Sequence, residues 1–283
     1  MSTEPITIID AWAQPASRQG FRHVPEILRL FTQSGANRFL ETGLTPEETV
    51  ALMDQAHIQT VMLSAWCRPG AEGGVWVFSN DEVAAMVRQF PGRFIGVAAV
   101  NLERPVQAVH ELERAVKELG FKALRVIPWL WNRPPNDKLY YPLYVKCIEL
   151  DIPFCTQVGH TGPLLPSEPG RPIPYLDEVA LTFPELRIVG GHIGYPWTDE
   201  MISLAWKHPN VYIDTSAHLP RYYPPALLQF LRTYGKDKVL FASNFPQLLF
   251  ETCTQQALAL DLPADVRSRF MHDNAQRVFK LDL

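Results

Sequence analysis

Five polar side chains that could take part in catalysis follow apolar segments of the sequence. They are Gln14, Arg125, His160, His192 and Asn244. An imidazole can act as a base or as a donor near neutral pH, and an amide offers N–H donors that suit an oxyanion hole. An arginine can pair with a carboxylate or with a thioester oxygen. These residue types predict a site for proton transfer and oxyanion stabilisation.

Each of these side chains also has a structural interpretation. Arg125 could form an internal ion pair with Asp214 or Glu103 instead of binding a substrate. Asn244 could hydrogen-bond to a neighbouring loop, and the two histidines could be a satisfied core residue and a helix cap. Asp10 is expected to be structural, orienting loop amides or Arg125.

Large aromatic residues are concentrated close to the same segments. A set of indoles and one phenol could form a pocket for an aryl group, although each could equally pack as an ordinary loop residue. The candidates for substrate binding are Trp12, Trp66, Trp129, Trp131 and Tyr222.

Eight short apolar runs must position these residues. Each run is rich in Val, Ile, Leu or Phe and ends in polar residues, which is typical of strands buried on both faces. The runs span residues 6–10, 60–65, 94–101, 123–127, 153–158, 187–191, 211–214 and 239–242. Because side chains alternate along a strand, Asp10, Trp12 and Gln14 should share one face of the first strand.

Helical patterns separate the apolar runs. Thr45 and Pro46 form an N-cap followed by a first-turn proline, and Gly120 ends a later helix. Eight such units predict a single (β/α)₈ barrel over residues 1–283. A doubly wound open sheet is the alternative, but it would usually carry a Gly-rich nucleotide loop, which the sequence lacks. In a barrel, the loops 129–141 and 161–174 follow strands and belong to the active-site end.

Composition excludes several classes of function. The chain has 283 residues, 47% hydrophobic and 20% charged, with a formal net charge of -4. A nucleic-acid-binding protein would instead show a basic stripe. The four cysteines form no CxxC pair, and no signal peptide or membrane span is indicated. We therefore expect a cytoplasmic protein that binds a small molecule, with no nucleic-acid or membrane partner.

Four motifs resemble one known family over nearly the whole chain. Ile9-Asp10 followed by Pro15 resembles the opening of the amidohydrolase-2 family, the group of the aminocarboxymuconate-semialdehyde and resorcylate decarboxylases. Residues 191–194 (Gly-His-Ile-Gly) are similar to its His-Leu-Gly turn after strand six. Residues 239–246 and 274–279 are similar to its Leu-Phe-Gly-Ser-Asp-Trp-Pro and C-terminal Asn-Ala-x-Arg-Leu-Phe motifs. The resemblance implies an amidohydrolase-type TIM barrel and a homodimer.

The chain departs from this family at the metal-binding positions. The resemblance implies one divalent metal held by His-x-His after strand one, a His after strand five and an Asp after strand eight. Here those positions hold Trp12, Gln14, His160 and Asn244. A zinc site needs about three histidine or carboxylate ligands, so we favour no cofactor. If Zn²⁺ or another divalent metal is bound, His160 and His192 are the candidate ligands.

The first strand also resembles one subgroup of the family. The segment Asp10-x-Trp12-Ala13-Gln14 is similar to members described as 4-hydroxyphenyl-β-ketoacyl-CoA hydrolases. The resemblance implies retro-Claisen cleavage of an aryl β-ketoacyl-CoA thioester to an aromatic acid and acetyl-CoA, in hydroxycinnamate catabolism. The alternatives are a metal-independent lactonase, a metal-dependent decarboxylase of the same family, and a degenerate barrel that catalyses nothing.

Overall fold

Eight parallel strands form a nearly closed barrel, as the sequence predicts. The computed structural model describes residues 7–17, 21, 25–70 and 74–282. The strands are β1 (Ile8–Ala13), β2 (Ile58–Ser64), β3 (Trp66–Arg68), β4 (Val75–Phe78), β5 (Phe94–Ala98), β6 (Ala123–Val126), β7 (Phe154–Gln157), β8 (Ile188–Gly191), β9 (Val211–Asp214) and β10 (Val239–Leu240). The order in the barrel is β1-β2-β5-β6-β7-β8-β9-β10, and β3 and β4 form a separate antiparallel hairpin that the sequence does not predict.

Helices follow most of the barrel strands. Those at Pro46–Gln55 and Asn80–Gln89 begin with capping boxes, formed by Thr45 with Glu48 and by Ser79 with Glu82. Within the described residues, no helix is both long and apolar enough to cross a lipid bilayer. The helices are α1 (Pro25–Ser34), α2 (Asn37–Thr42), α3 (Pro46–Gln55), α4 (Asn80–Gln89), α5 (Pro105–Lys117), α6 (Pro128–Trp131), α7 (Tyr141–Glu149), α8 (Tyr175–Thr182), α9 (Thr198–Lys207), α10 (Pro225–Arg232), α11 (Phe250–Leu258), α12 (Ala264–Ser268) and α13 (Asn274–Phe279).

The barrel closes through the segment that follows β10. The Ala11 amide donates to the Phe241 carbonyl at 3.0 Å, and the Gln14 amide donates to the Phe245 carbonyl at 3.0 Å. In the opposite direction, the Asn244 amide donates to the Trp12 carbonyl at 2.9 Å. These bonds place the ends of β1 and β10 side by side, so that Trp12, Gln14 and Asn244 meet at one edge of the barrel.

Two strands end at least two residues earlier than their apolar runs predict. The run 94–101 forms a strand only to Ala98, because the Ala99 amide donates to the Asn80 side chain at 3.0 Å rather than to a neighbouring strand. The run 239–242 forms a strand only to Leu240. Beyond it, the Phe241 amide donates to the carbonyl of Phe270 at 2.9 Å. Residue 6 of the first predicted run lies outside the described residues.

Two hydrophobic layers hold the strands in place. One lies inside the barrel and includes Ile9, Met62, Val97, Val189 and Leu240. The other lies between the outer faces of the strands and the helices. Strands buried on both faces need continuous apolar runs, which explains why the pattern predicts the barrel. Most of the polar candidate side chains therefore lie at the ends of the strands, outside the apolar runs.

Candidate functional site

One cavity opens at the carboxyl ends of the barrel strands. Its empty volume is about 710 Å³ including the open mouth, within the usual range for a small-molecule site. Its described lining contains imidazoles, amides and indoles but no aspartate or glutamate. The polar and aromatic members are Trp12, Gln14, Trp66, Trp129, Gln157, His160, His192, His218, Asn244 and Gln247. This lining can donate hydrogen bonds to an anion without repelling it.

The indoles form the flat part of the wall. Trp12 and Trp129 are almost fully buried. The Trp129 indole N–H donates to the Gln157 side chain at 2.7 Å, and Gln157 in turn donates to the His160 carbonyl at 3.3 Å. These two hydrogen bonds connect the short helix α6 to the loop after β7. The two long loops predicted at this end of the barrel therefore both shape the cavity.

Three features of its backbone and ring define the position of His192 at the end of β8. Its φ of 69° lies in the left-handed region, which is uncommon for a residue other than glycine and is often found at functional sites. Its Nδ1 lies 2.6 Å from the hydroxyl of Ser216, on the neighbouring strand end. Its ring packs against Trp12 with 5.1 Å between centroids. Burial and the nearby His218, Arg125 and His160 hold the pKa of His192 well below its ordinary value.

Two further histidines line the cavity. The exposed His160 packs against Tyr195, with ring centroids 5.5 Å apart. His218 donates from Nδ1 to the Ser216 carbonyl at 3.2 Å, because a carbonyl can only accept. Burial is the main cause of its lowered pKa. His218 is not among the site residues predicted from the sequence, although its position four residues after Asp214, the last residue of β9, could have indicated it.

The two candidate amides are bonded to one another. The Gln14 side-chain nitrogen donates to the Phe245 carbonyl at 2.6 Å and to the Asn244 side-chain oxygen at 3.2 Å. The Asn244 side-chain nitrogen donates to Gln247 at 2.7 Å. Three successive amides are therefore locked in one orientation across the closure of the barrel.

A buried cation lies beneath the cavity. The Arg125 guanidinium stacks on the Trp12 ring, 3.6 Å from its centroid, and Nη1 donates to the Ala13 carbonyl at 3.3 Å. Two buried carboxylates, Asp10 and Asp214, act electrostatically on Arg125. Burial lowers the pKa of Arg125 to about 10 and raises the pKa of Asp10 to about 7. The predicted ion pairs of Arg125 with Asp214 or Glu103 do not form within the described residues.

The structure brings together most of the predicted site residues. Gln14, His160, His192 and Asn244 line the cavity with Trp12, Trp66 and Trp129. Three predicted members do not line it. Arg125 lies under Trp12 and reaches the cavity only through that ring. Trp131 is buried in the packing of α6, and Tyr222 is 66% exposed, with Arg221 stacked on its ring.

The residues at the mouth of the barrel do not fit a divalent metal. Within the described ranges, no three His, Cys, Asp or Glu side chains are grouped so that they could hold an ion. An indole is not a metal ligand, and the Gln14 and Asn244 amides already bond to one another. The Arg125 guanidinium behind Trp12 would also repel a dication in this low-dielectric setting.

Comparison with known proteins places this geometry in context. The model of the family described as Amidohydrolase matches residues 62–281. A gamma-resorcylate decarboxylase of Polaromonas sp. is 26% identical over 83% of this chain and 87% of its own. A 2-keto-4-carboxy-3-hexenedioate hydratase of Sphingobium sp. is 27% identical over 71% of this chain and 70% of its own.

Solved structures share the fold. An uncharacterized TIM-barrel protein of Bordetella bronchiseptica superposes with a TM-score of 0.82 at 24% identity, covering 97% of this chain and 98% of its own. The 5-carboxyvanillate decarboxylase of Novosphingobium aromaticivorans, complexed with manganese and 4-hydroxy-3-methoxy-5-nitrobenzoic acid, superposes with a TM-score of 0.73 at 20% identity. That superposition covers 97% of this chain and 96% of the decarboxylase.

These comparisons contradict the predicted main function. The expected hydrolysis of an aryl β-ketoacyl-CoA thioester is wrong, because the relatives include several decarboxylases of aromatic acids. Resemblance of the short first-strand segment to one subgroup is weaker evidence of function than similarity over most of the chain. The alternative interpretation, a metal-dependent decarboxylase of the same family, agrees better with the relatives.

Proposed function

The chain belongs to the amidohydrolase family, and from that premise we propose that it is a decarboxylase of a small hydroxylated aromatic acid. Its relatives in sequence include gamma-resorcylate decarboxylases, which supports this reaction class. The reaction replaces a ring carboxylate with hydrogen. It requires a pocket for a flat anion and a group that delivers a proton to carbon.

The composition of the cavity wall is the observation that carries the proposal. The described lining offers N–H donors from imidazoles and amides and has no carboxylate that would repel an acid. The Trp12, Trp66 and Trp129 indoles supply flat apolar surface against which an aromatic ring can pack. A hydroxylated benzoate matches both features, since it is planar and negatively charged.

The chemistry follows from what the substrate must gain and lose. A proton is added to the ring carbon that bears the carboxylate, and the bond from that carbon to the carboxylate breaks. Its electron pair returns to the ring, which becomes aromatic again, and CO₂ leaves. The lining imidazoles can move protons near neutral pH. Because Asn244 has no acidic proton, the histidines are the groups that transfer the proton to the ring carbon in this proposal.

Among the residues that the structure describes, no donor set matches the metal in the solved decarboxylase. The proposed reaction therefore uses the buried Arg125 and the lining amides as its source of fixed positive potential, and no step is assigned to a metal ion. Arg125 sits 3.6 Å behind the Trp12 ring. From there it can stabilise negative charge in the cavity through a low-dielectric wall.

The test is CO₂ release from hydroxylated benzoates. Purified protein is incubated with 2,6-dihydroxybenzoate or 5-carboxyvanillate, after chelator dialysis and again with added Mn²⁺, and metal content is measured by mass spectrometry. In D₂O, the product should carry one deuterium at the carbon that lost CO₂. His192→Gln should lower the rate by roughly a hundredfold, whereas His110→Gln, an exposed histidine outside the cavity, serves as the control.

Three results would contradict the proposal. If neither acid releases CO₂ with or without Mn²⁺, the substrate class or the reaction is wrong. If the dialysed protein retains tightly bound metal and loses activity only when that metal is stripped, the metal-free assignment is wrong. Equal loss in His192→Gln and His110→Gln would show that the cavity histidine has no special role.

A further inference from the structure

We infer that Asp214, Ser216 and His192 form a hydrogen-bonded relay that presents Nε2 of His192 to the cavity as the proton-transferring atom. Ser216 is the positioning residue of this relay. The inference rests on the proposed function and specifies which atom in the cavity performs its proton transfer.

The relay is visible in the contacts between two adjacent strand ends. Nδ1 of His192 lies 2.6 Å from the Ser216 hydroxyl oxygen. That hydroxyl also makes a short hydrogen bond with the carboxylate of Asp214. The Ser216 backbone amide donates to the same carboxylate oxygen at 2.9 Å. All three side chains are buried, so neither bond has to compete with bulk water.

Counting protons along the relay determines the form of the imidazole. The Asp214 carboxylate also accepts from the His192 backbone amide, and backbone amides can only donate. The Ser216 hydroxyl therefore donates its one hydrogen-bonding proton to this carboxylate. Its oxygen can then only accept, so His192 must donate from Nδ1. The lone pair of the neutral ring is therefore on Nε2, the nitrogen free to face the cavity.

The surroundings keep this ring neutral and rigid at rest. Burial is the main cause of the low pKa of His192, and electrostatic interactions with His218, Arg125 and His160 add to the effect. The ring edge packs on Trp12. Gly191 makes that packing possible, because a Cβ there would lie 2.8 Å from the Trp12 ring.

The other two cavity histidines have no comparable support. The Nδ1 atom of His218 bonds to a backbone carbonyl, which carries no net charge. His160 is exposed and contacts the Tyr195 ring. Within the described residues that line the cavity, only His192 has a hydroxyl and a carboxylate behind its second nitrogen. An imidazolium formed at His192 is stabilised by the negative charge of Asp214 through Ser216.

A proton shuttle on Nε2 completes the proposed reaction without another acid. Nε2 takes the proton from the hydroxyl next to the substrate carboxylate and passes it to the carbon that bears the carboxylate. The substrate is then its non-aromatic keto tautomer, which still bears the carboxylate. The carbon–carboxylate bond breaks, its electron pair forms the phenolate, and CO₂ leaves. The phenolate then takes a proton from water and leaves hydroxide, while His192 has been neutral since it gave its proton to the ring carbon.

The first test reads the imidazole directly and needs no substrate. Protein labelled with ¹⁵N-histidine is examined by long-range ¹H–¹⁵N correlation NMR, and the His192 signals are assigned by their loss in His192→Gln. The expected result is a neutral ring protonated on Nδ1 in the wild type and a mixture of tautomers in Ser216→Ala. A wild-type ring protonated on Nε2, or no change in Ser216→Ala, would overturn the relay.

The second test connects the relay to turnover. Ser216→Ala should lower kcat by roughly ten- to a hundredfold with little change in KM, and Ser216→Thr, which retains the hydroxyl, should recover most of it. Thr215→Val is the matched control, because the Thr215 hydroxyl donates to the Leu240 carbonyl rather than to an imidazole. Equal kcat losses in Ser216→Ala and Thr215→Val would contradict the positioning role.

The two tests separate failure of the relay from failure of the proposed function. If no hydroxylated benzoate is decarboxylated, the function is wrong, and the relay loses its proton-transfer role while the NMR result still decides the tautomer. If decarboxylation occurs but the tautomer of His192 is the same in wild type and Ser216→Ala, the function stands and the relay is wrong.

Discussion

Replacing Asp10 with Asn tests the electrostatics of the barrel floor. Asp10 is completely buried, and its Oδ1 accepts from the Trp12 amide at 3.0 Å and from the Ser243 amide at 3.1 Å. The other carboxylate oxygen has no hydrogen-bond partner within the described residues. An Asn side chain has the same shape and can keep both amide bonds, so Asp10→Asn removes the titrating charge and little else.

The expected magnitude follows from the pKa of Asp10. Burial raises it from 3.8 to about 7. Between these values the folded state holds a proton that the unfolded chain has lost, so stability falls as pH rises through this window and is constant above it. The full difference corresponds to about 4 kcal/mol. About 2.5 kcal/mol of it falls between pH 5 and pH 8, by the same linkage relation.

The assay is urea unfolding of wild type and Asp10→Asn at several pH values. Taking the difference between the two proteins cancels every titration they share. We expect the stability of Asp10→Asn relative to wild type to rise by about 2.5 kcal/mol from pH 5 to pH 8. The m-values should be equal, because the same surface is exposed on unfolding.

The control is a carboxylate with the opposite behaviour. Hydrogen bonds from Lys280 and Arg187 lower the pKa of the exposed Asp151. Asp151→Asn should therefore cost stability at neutral pH, and the cost should vanish as pH falls through the pKa of Asp151. We expect the stability of Asp10→Asn relative to wild type to rise with pH, whereas that of Asp151→Asn should fall. If the value for Asp10→Asn is constant with pH, or falls as pH rises, the burial argument is refuted.

Two further substitutions test the wall and the floor of the cavity. Arg125→Met removes the guanidinium that donates to the Ala13 carbonyl and stacks on the Trp12 ring, and it should destabilise the fold by about 1–3 kcal/mol in urea unfolding at pH 7; equal stability of variant and wild type would show that neither contact contributes. Trp129→Phe removes the indole N–H that holds Gln157. In steady-state kinetics it should raise KM for the aromatic acid by roughly fivefold, from the loss of one hydrogen bond of about 1 kcal/mol, with kcat nearly unchanged.

The sequence predicts the barrel because its signals are local. Each apolar run reflects a strand buried on both faces, and capping motifs such as Thr45 with Glu48 mark helix starts within four residues. The apolar runs mispredict where the strands end, because hydrogen bonds to residues distant in sequence set the strand ends. Ala99 and Phe241 leave the sheet because the Asn80 side chain and the Phe270 carbonyl take their hydrogen bonds.

The candidate site is predicted only in outline. Because function in a barrel gathers at strand ends, the sequence points to His160, His192 and Asn244 without a structure. It does not reveal His218, and it proposes Tyr222 as a substrate contact although that ring faces solvent. A residue type close to a strand end indicates which end of the barrel it lies near, but the rotamer and the loop path decide whether it reaches the cavity.

The sequence alone determines that this chain is a (β/α)₈ barrel of the amidohydrolase type with altered residues at the metal positions. Only the tertiary structure decides that Arg125 lies behind Trp12, 113 positions away in the chain, and that Ser216 stands between His192 and Asp214. These contacts depend on the register between neighbouring strands and on barrel closure. Neither is encoded by the periodicity of any single segment, because periodicity gives the face of a side chain and not its partner.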